Sequence, residues 1–185
     1  MEKQNYDKEK FWSDIESAHR YNELINNHPK KTKLLSSISS NKEFLLGHKL
    51  RIKFVTQYLK NIPNYDLYGA KSFANLGYTF YKGKLSKTEK HKALDPYKYT
   101  FANENCFENN YFTEKLTDAI LCECLCFYDG CPNIENFIDP NAFIRIDLKN
   151  PEKAIQLIKM SIANNEWEKR LEVIKKEKNK ILNNK

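Results

Sequence analysis

The chain has 185 residues, of which 41% are hydrophobic and 13% are aromatic. This is enough apolar material to fill the core of one ordinary domain, so the composition excludes a fully disordered chain. No apolar run approaches the roughly 18 residues that a membrane span needs. The first ten residues are charged and polar and contain no apolar signal segment, so we expect a cytoplasmic protein.

The formal net charge of +7 is compatible with binding to nucleic acid or to an anionic membrane surface. Only four of the 31 basic residues are Arg, however, and the others are Lys. We therefore interpret most of the charge as a solvated surface. A basic nucleic-acid-binding protein remains the less favoured alternative.

Five Cys residues lie between positions 106 and 131. The triplet Cys122, Cys124 and Cys126 contains no Cys-x-x-Cys pair, and no His lies within 30 residues of it. Zinc binding is therefore the less favoured interpretation. We predict free thiols in a reducing compartment, most of them buried.

Apolar spacing predicts a helical extension followed by a strand–helix–strand unit in the first part of the chain. Residues 1–28 are polar with sparse apolar positions at helical spacing, and Pro29 ends this stretch. The unit then consists of a strand at 33–38, a helix that begins near Gly47, and a second strand at 65–68.

A second strand–helix–strand unit follows after residues 70–95, which we predict to be a surface excursion with a short helix. It consists of a strand at 97–101, a helix capped by Thr113, and a continuously apolar strand at 125–128. A further strand and two helices complete the chain, at residues 143–146, from Pro151 onward, and around Trp167 to Ile181. This alternation predicts an α/β fold with a Rossmann-like, doubly wound parallel sheet.

Two basic residues occupy equivalent ends of the two units. Lys115 stands in the first turn of the helix that follows Thr113, where free N–H groups and the helix dipole favour an anion. A cation there opposes the dipole, so we expect Lys115 either to point to water or to hold a phosphate, and to be a mild liability in the empty protein. Arg51, near the start of the first helix, suits bidentate phosphate binding. Because both face the carboxyl ends of the strands, together they predict a ligand that carries a diphosphate.

Motifs of other phosphate-binding classes are missing from the sequence. It contains neither a Gly-rich P-loop nor a G-x-G-x-x-G motif, which argues against a Walker NTPase and an ordinary dinucleotide enzyme. It also contains no Asp-x-Asp pair, which argues against a nucleotide sugar held by a metal ion.

Several segments resemble the signature of the α-1,3-fucosyltransferases, glycosyltransferase family 10. Residues 101–105 read Phe-Ala-Asn-Glu-Asn and residues 111–115 read Tyr-Phe-Thr-Glu-Lys, similar to the family's Phe-Glu-Asn and Tyr-x-Thr-Glu-Lys. Shorter matches accompany them at residues 97–99, 127–132 and 139–144, and at Ser39-Ser40-Asn41 with Arg51. The resemblance covers about residues 30–165.

The resemblance implies the C-terminal, donor-binding half of a GT-B glycosyltransferase that inverts the sugar without a cofactor or a required metal. The implied donor is GDP-fucose, the implied partner is a glycan acceptor, and no nucleic acid is expected. On matching positions, Arg51 and Lys115 would hold the diphosphate, and Asn105, Tyr111 and Glu114 would contact the nucleotide sugar. If the chain is a fragment of a eukaryotic enzyme, its implied location is the Golgi lumen.

The sequence departs from the family pattern at two points. Asn103 stands where the family has Phe. The family's N-terminal acceptor domain, which supplies the general base, has no counterpart, so the resemblance implies a fragment or an enzyme that needs a second polypeptide. Glu104 and then Glu108 are the candidates for a replacement base, because both lie in the loop that follows the strand.

We divide the chain into a helical extension at 1–29, a donor-binding domain at 30–165 and a Lys-rich C-terminal helix at 166–185. The favoured hypothesis is the donor-binding half of a fucosyltransferase-like enzyme. The alternative from another class is a nucleotide-sugar-binding module without catalysis.

Overall fold

Six strands of the described residues form one sheet in the order β3-β2-β1-β4-β5-β6, and every neighbouring pair is parallel. The strands are β1 (Lys33–Ser39), β2 (Tyr65–Gly69), β3 (Tyr81–Gly83), β4 (Tyr97–Asn103), β5 (Leu125–Asp129) and β6 (Phe143–Arg145). This is the order of a doubly wound Rossmann-like sheet, so the predicted fold class is confirmed. The computed structural model describes residues 23–24 and 28–183, and the helices predicted within 1–28 lie almost entirely outside the described residues.

The helices begin close to the predicted positions. They are α1 (Leu46–Lys53), α2 (Glu114–Leu121), α3 (Pro151–Ala163) and α4 (Glu166–Asn183). Helix α1 continues through a π-helical turn at Phe54–Tyr58 and a 3₁₀ turn at Leu59–Asn61. Asn150 is the N-cap of α3 and Pro151 its first residue, as the Asn-Pro pair predicts, but the Asn150 side chain donates to Asp147 instead of capping the helix.

The helices cover both faces of the sheet. The connection from β1 to β2 and the connection from β4 to β5 run in opposite directions along the sheet, so right-handed crossovers place α1 and α2 on opposite faces. On one face, Phe101 of β4 contacts Phe54 with their ring centroids 5.2 Å apart. On the other face, Thr100 of β4 is hydrogen-bonded to Ser36 of β1. Thr100 directly precedes Phe101, and successive side chains of a strand point to opposite faces.

The surface excursion predicted for residues 70–95 contains a strand that the sequence did not indicate. Two 3₁₀ segments, at Lys71–Leu76 and Lys87–Ala93, flank the edge strand β3. Only Tyr81 and Gly83 of this strand are in register with β2. Three residues are too few for an alternating pattern to show in the sequence.

Helix α4 shares the core of the sheet. It packs on α2 and β5, and its Lys178 is 2% exposed and lies 2.8 Å from the equally buried carboxylate of Glu123. Glu123 adopts a positive φ of 58° in the turn between α2 and β5. This buried ion pair joins α4 to the turn between α2 and β5.

The predicted burial of most of the cysteines is confirmed. All five are free; Cys106 is half-buried and the others, Cys122, Cys124, Cys126 and Cys131, are buried. Burial raises the pKa of the Cys124 thiol to about 11. Among the described residues, no helix combines the length and the apolar character that crossing a bilayer demands.

Candidate functional site

A cavity of about 570 Å³ opens at the carboxyl edge of the sheet, between β1 and β4. The strand order reverses at this point, because β1 continues to β2 on one side and β4 continues to β5 on the other. Open α/β sheets bind their ligands in such crevices. The ends of both strands and the first turns of α1 and α2 line the cavity, together with Lys90 and Leu94.

Arg51 lies against this cavity and is only 5% exposed. Its guanidinium donates to Ser40 Oγ at 2.9 Å and to Asn105 Oδ1 at 3.2 Å. Both partners are neutral, and the buried Nε has no hydrogen-bond partner in the part of the chain that the structure describes. Burial lowers the pKa of Arg51, although a guanidinium remains charged near neutral pH. A buried cation with neutral hydrogen-bond partners favours an anion nearby, and the charge of Glu104 raises the pKa of Arg51 against the effect of burial.

Lys115 also lines the cavity, but its environment differs from the expectation. Its Nζ lies 2.7 Å from Glu104 Oε2 and 2.9 Å from Thr113 Oγ1. Glu104 is fully buried and accepts further hydrogen bonds from the backbone N–H and the hydroxyl of Thr113. The expectation that Lys115 is a mild liability in the empty protein is therefore wrong, because the buried carboxylate of Glu104 balances its charge.

Thr113 occupies the predicted N-cap position of α2 without capping it through its side chain. Its hydroxyl instead donates to Glu104 and accepts a hydrogen bond from Lys115 Nζ, so the oxygen that would accept from the helix N–H groups is used by Lys115. The burial of Glu104 also decides whether the two candidates for the general base, Glu104 and Glu108, can serve in that role. Glu104 is fully buried beneath Lys115 and cannot reach an acceptor outside the fold, while Glu108 is exposed and does not line the cavity.

Asn105 and Glu114 are brought to the cavity with Arg51 and Lys115. Asn105 accepts a hydrogen bond from Arg51. Burial raises the pKa of Glu114, but the charges of Lys90 and Lys115 outweigh burial and hold this pKa below its usual value. Lys90 Nζ lies 3.2 Å from a Glu114 carboxylate oxygen, so Glu114 is anionic at the rim of the site.

Tyr111 is the one predicted donor-binding residue that the structure does not place at the cavity. It lies in the loop before α2, is partly buried, and is hydrogen-bonded to the Cys106 thiol. It does not line the cavity. The resemblance to the family's Tyr-x-Thr-Glu-Lys signature implied Tyr111 as a ligand contact, but its hydroxyl interacts with Cys106.

The structure adds lining residues that the sequence did not single out. His48, three positions before Arg51 on α1, is buried and accepts a hydrogen bond from the Leu45 N–H through Nδ1. Burial and the charge of Arg51 lower the pKa of His48, which favours the neutral ring. The helical spacing from Arg51 could have indicated His48, whereas nothing local indicated Lys90, which comes from the 3₁₀ segment at Lys87–Ala93.

The fold and the cavity define a Rossmann-like domain with a crevice at its switch point, which Arg51 and Lys115 line. A family model described as glycosyltransferase family 10 (fucosyltransferase) C-term matches residues 28–180. The chain therefore belongs to this family, and the resemblance in the signature segments is confirmed.

Solved structures agree with this fold. An α1,3-fucosyltransferase crystal structure with GDP-fucose is 24% identical over 89% of this chain, with a TM-score of 0.59. Another with GDP is 23% identical over 84%, with a TM-score of 0.61. The chain covers 44% of each of those proteins. The C-terminal domain of a glycosyl transferase group 1 family protein (LpcC) from Francisella tularensis is 10% identical, with a TM-score of 0.51, over 88% of this chain and 91% of that domain.

Proposed function

We propose that this chain is the donor-binding half of a fucosyltransferase-type glycosyltransferase, which holds GDP-fucose in the cavity between β1 and β4. The observation that carries the proposal is Arg51, a buried cation with neutral partners and an unpaired donor at the switch point. Family membership and the similar structures with GDP and GDP-fucose support the choice of ligand.

In this proposal two basic side chains of the protein bind the diphosphate. Arg51 supplies donors from α1, and Lys115 supplies a second cation from the first turn of α2, where the free N–H groups add to the positive potential. The same groups stabilise the charge that develops on GDP as the glycosidic bond breaks. We expect EDTA to leave GDP binding unchanged, and a strict metal requirement would contradict this mode of binding.

Calorimetric titration with GDP and with guanosine tests the site. Arg51→Ala should weaken GDP binding roughly 10- to 150-fold, the equivalent of one charged hydrogen bond, and should change guanosine binding much less. Arg145→Ala is the matched control, because Arg145 pairs with Glu135 on the surface away from the cavity. If wild-type protein does not bind millimolar GDP, or if Arg51→Ala binds it normally, the proposed function is wrong.

Transfer to a glycan with inversion also needs a general base on the face opposite the leaving GDP. The burial of Glu104 beneath Lys115 leaves it unsuited to that role, so we propose that an acceptor-binding half, in the same or a second polypeptide, supplies the base. The 185 residues alone should bind GDP-fucose and transfer it at least about 10²–10⁴-fold more slowly than a complete enzyme. Ordinary turnover on a disaccharide acceptor would refute this division of labour.

A purely binding role is the alternative. Fucose transfer or GDP-fucose hydrolysis that appears when an acceptor-binding half is added favours the enzyme. GDP-fucose binding that never leads to either reaction favours the binding module.

A further inference from the structure

Asn103, the last residue of β4, is fully buried and lies in the wall of the cavity. Its side-chain nitrogen donates to the carbonyl oxygens of Gly47 and Glu104, both at 2.9 Å. Two carbonyl acceptors require the NH₂ group on that side, so the orientation of the amide is settled by its hydrogen bonds. The oxygen Oδ1 is thereby directed away from these two carbonyls.

Oδ1 of Asn103 is buried and has no hydrogen-bond partner among the described residues. Burial of an amide oxygen without a donor costs free energy, and such groups are rare in folded proteins. Asn103 is one of the residues that line the cavity together with Arg51 and Lys115. A ligand in this cavity is therefore the natural source of the missing donor.

The chemistry of Oδ1 restricts which part of a ligand can satisfy it. Phosphate oxygens are acceptors and cannot donate to an amide oxygen, so the diphosphate belongs to Arg51 and Lys115. A hydroxyl or an N–H group on the nucleoside or on the sugar can donate. A site built to pair a substrate donor rejects an analogue that lacks it, because the buried acceptor is then left unpaired.

We propose that Asn103 is a specificity-determining residue of the nucleotide-sugar site, whose Oδ1 accepts one hydrogen bond from a neutral O–H or N–H group of the ligand. This inference rests on the proposed function, since it requires that the cavity bind a nucleotide sugar. It adds a contact to the uncharged part of the ligand, whereas Arg51 and Lys115 account for the charged part.

A structural role explains only half of this side chain. The first turn of α1 presses on the end of β4 so closely that a Cβ on Gly47 would lie 2.3 Å from the Glu104 carbonyl oxygen. The Asn103 nitrogen stabilises this contact, because it donates hydrogen bonds to the carbonyl oxygens of both Gly47 and Glu104. These hydrogen bonds use both amide hydrogens of Asn103 and leave its oxygen free. The structural role of the nitrogen and the proposed ligand-binding role of the oxygen can therefore be separated by experiment.

A cycle that changes the protein and the ligand in turn separates the structural role of Asn103 from its proposed role in ligand binding. Wild-type protein and Asn103→Ala are titrated with GDP and with four analogues that each lack or block one donor: inosine diphosphate, N1-methyl-GDP, 2′-deoxy-GDP and 3′-deoxy-GDP. GDP-fucose is added to probe the hydroxyls of the sugar. Any general weakening of the variant affects all ligands and cancels in the comparison.

We expect one donor to matter in wild-type protein and not in Asn103→Ala, with a difference of about 10-fold or more in affinity. If GDP-fucose carries that donor, its advantage over GDP should shrink by the same factor in the variant. Asn61→Ala, at an exposed position on the 3₁₀ turn after α1, is the control and should reproduce the wild-type pattern. Equal effects of every ligand change in wild-type protein and in Asn103→Ala would overturn the inference.

A structure of the wild-type protein with GDP-fucose provides a second test that does not depend on the variant folding. A ligand oxygen or nitrogen that carries hydrogen should lie within about 3.2 Å of Asn103 Oδ1. A water molecule or an empty space at that position would overturn the inference while leaving nucleotide binding intact. Failure of wild-type protein to bind any of these ligands would overturn both the proposed function and this inference.

Discussion

Lys115→Met should destabilise the empty protein because it removes the cation above a buried carboxylate. Lys115 Nζ contacts Glu104 Oε2 at 2.7 Å, and Glu104 is fully buried. Breaking a fully buried ion pair costs about 3–5 kcal/mol. The Lys115 side chain is 27% exposed, and Thr113 continues to donate to Glu104, so water and Thr113 reduce the penalty and we expect about 2 kcal/mol.

Urea unfolding of a double-mutant cycle measures this penalty. Glu104→Gln in the Lys115→Met background removes the unpaired charge and should recover at least about 1 kcal/mol of the loss. Lys159→Met, on the exposed side of α3, is the control and should stay within about 0.5 kcal/mol of wild-type protein. If Lys115→Met is as stable as this control or more stable, as the helix dipole alone would predict, then the ion pair does not stabilise the fold.

The same structure yields predictions for the surrounding elements. Burial lowers the pKa of His48 below 6.5, so the native protein binds fewer protons than the unfolded chain and loses stability as the pH falls below about 6.5. His48→Gln should flatten this decline, measured as the free energy of unfolding in urea from about pH 7 to pH 5. The same pH dependence in the variant and in wild-type protein would contradict this prediction. Lys178→Met should cost about 2–3 kcal/mol in chemical unfolding, because the buried Glu123 carboxylate loses its buried cation and keeps the exposed His28, whose Nδ1 lies 2.7 Å away. A loss under about 1 kcal/mol would show that His28 is a sufficient partner for Glu123. Gly47→Ala should abolish GDP binding and should lower the melting temperature more than Gly77→Ala does. The reason is that a Cβ at Gly47 meets a backbone atom at 2.3 Å, whereas a Cβ at Gly77 meets open space. Normal GDP binding by Gly47→Ala would refute the close approach of α1 to β4.

The order and type of the main elements could be read from the sequence by itself. A continuous apolar run indicated β5, all five residues of which are buried, and Asn150 before Pro151 indicated the start of α3. Such signals are local, because the period of apolar residues and the chemistry of helix ends act over a few neighbouring positions. The positions of Arg51 and Lys115 at one edge of the sheet followed from the same elements.

Tertiary structure alone decided which polar groups meet. Arg51 and Asn105 are 54 positions apart in the chain, and Glu123 and Lys178 are 55 apart. Glu104 looked like a candidate base until its burial and its partners were seen. Contacts of this kind depend on strand order and on the packing of helices over the sheet, and burial then determines whether a charge needs a partner. Neither the packing of the elements nor the burial of a side chain can be derived from local spacing. The pairing of charges around the cavity could therefore be seen only in the folded structure.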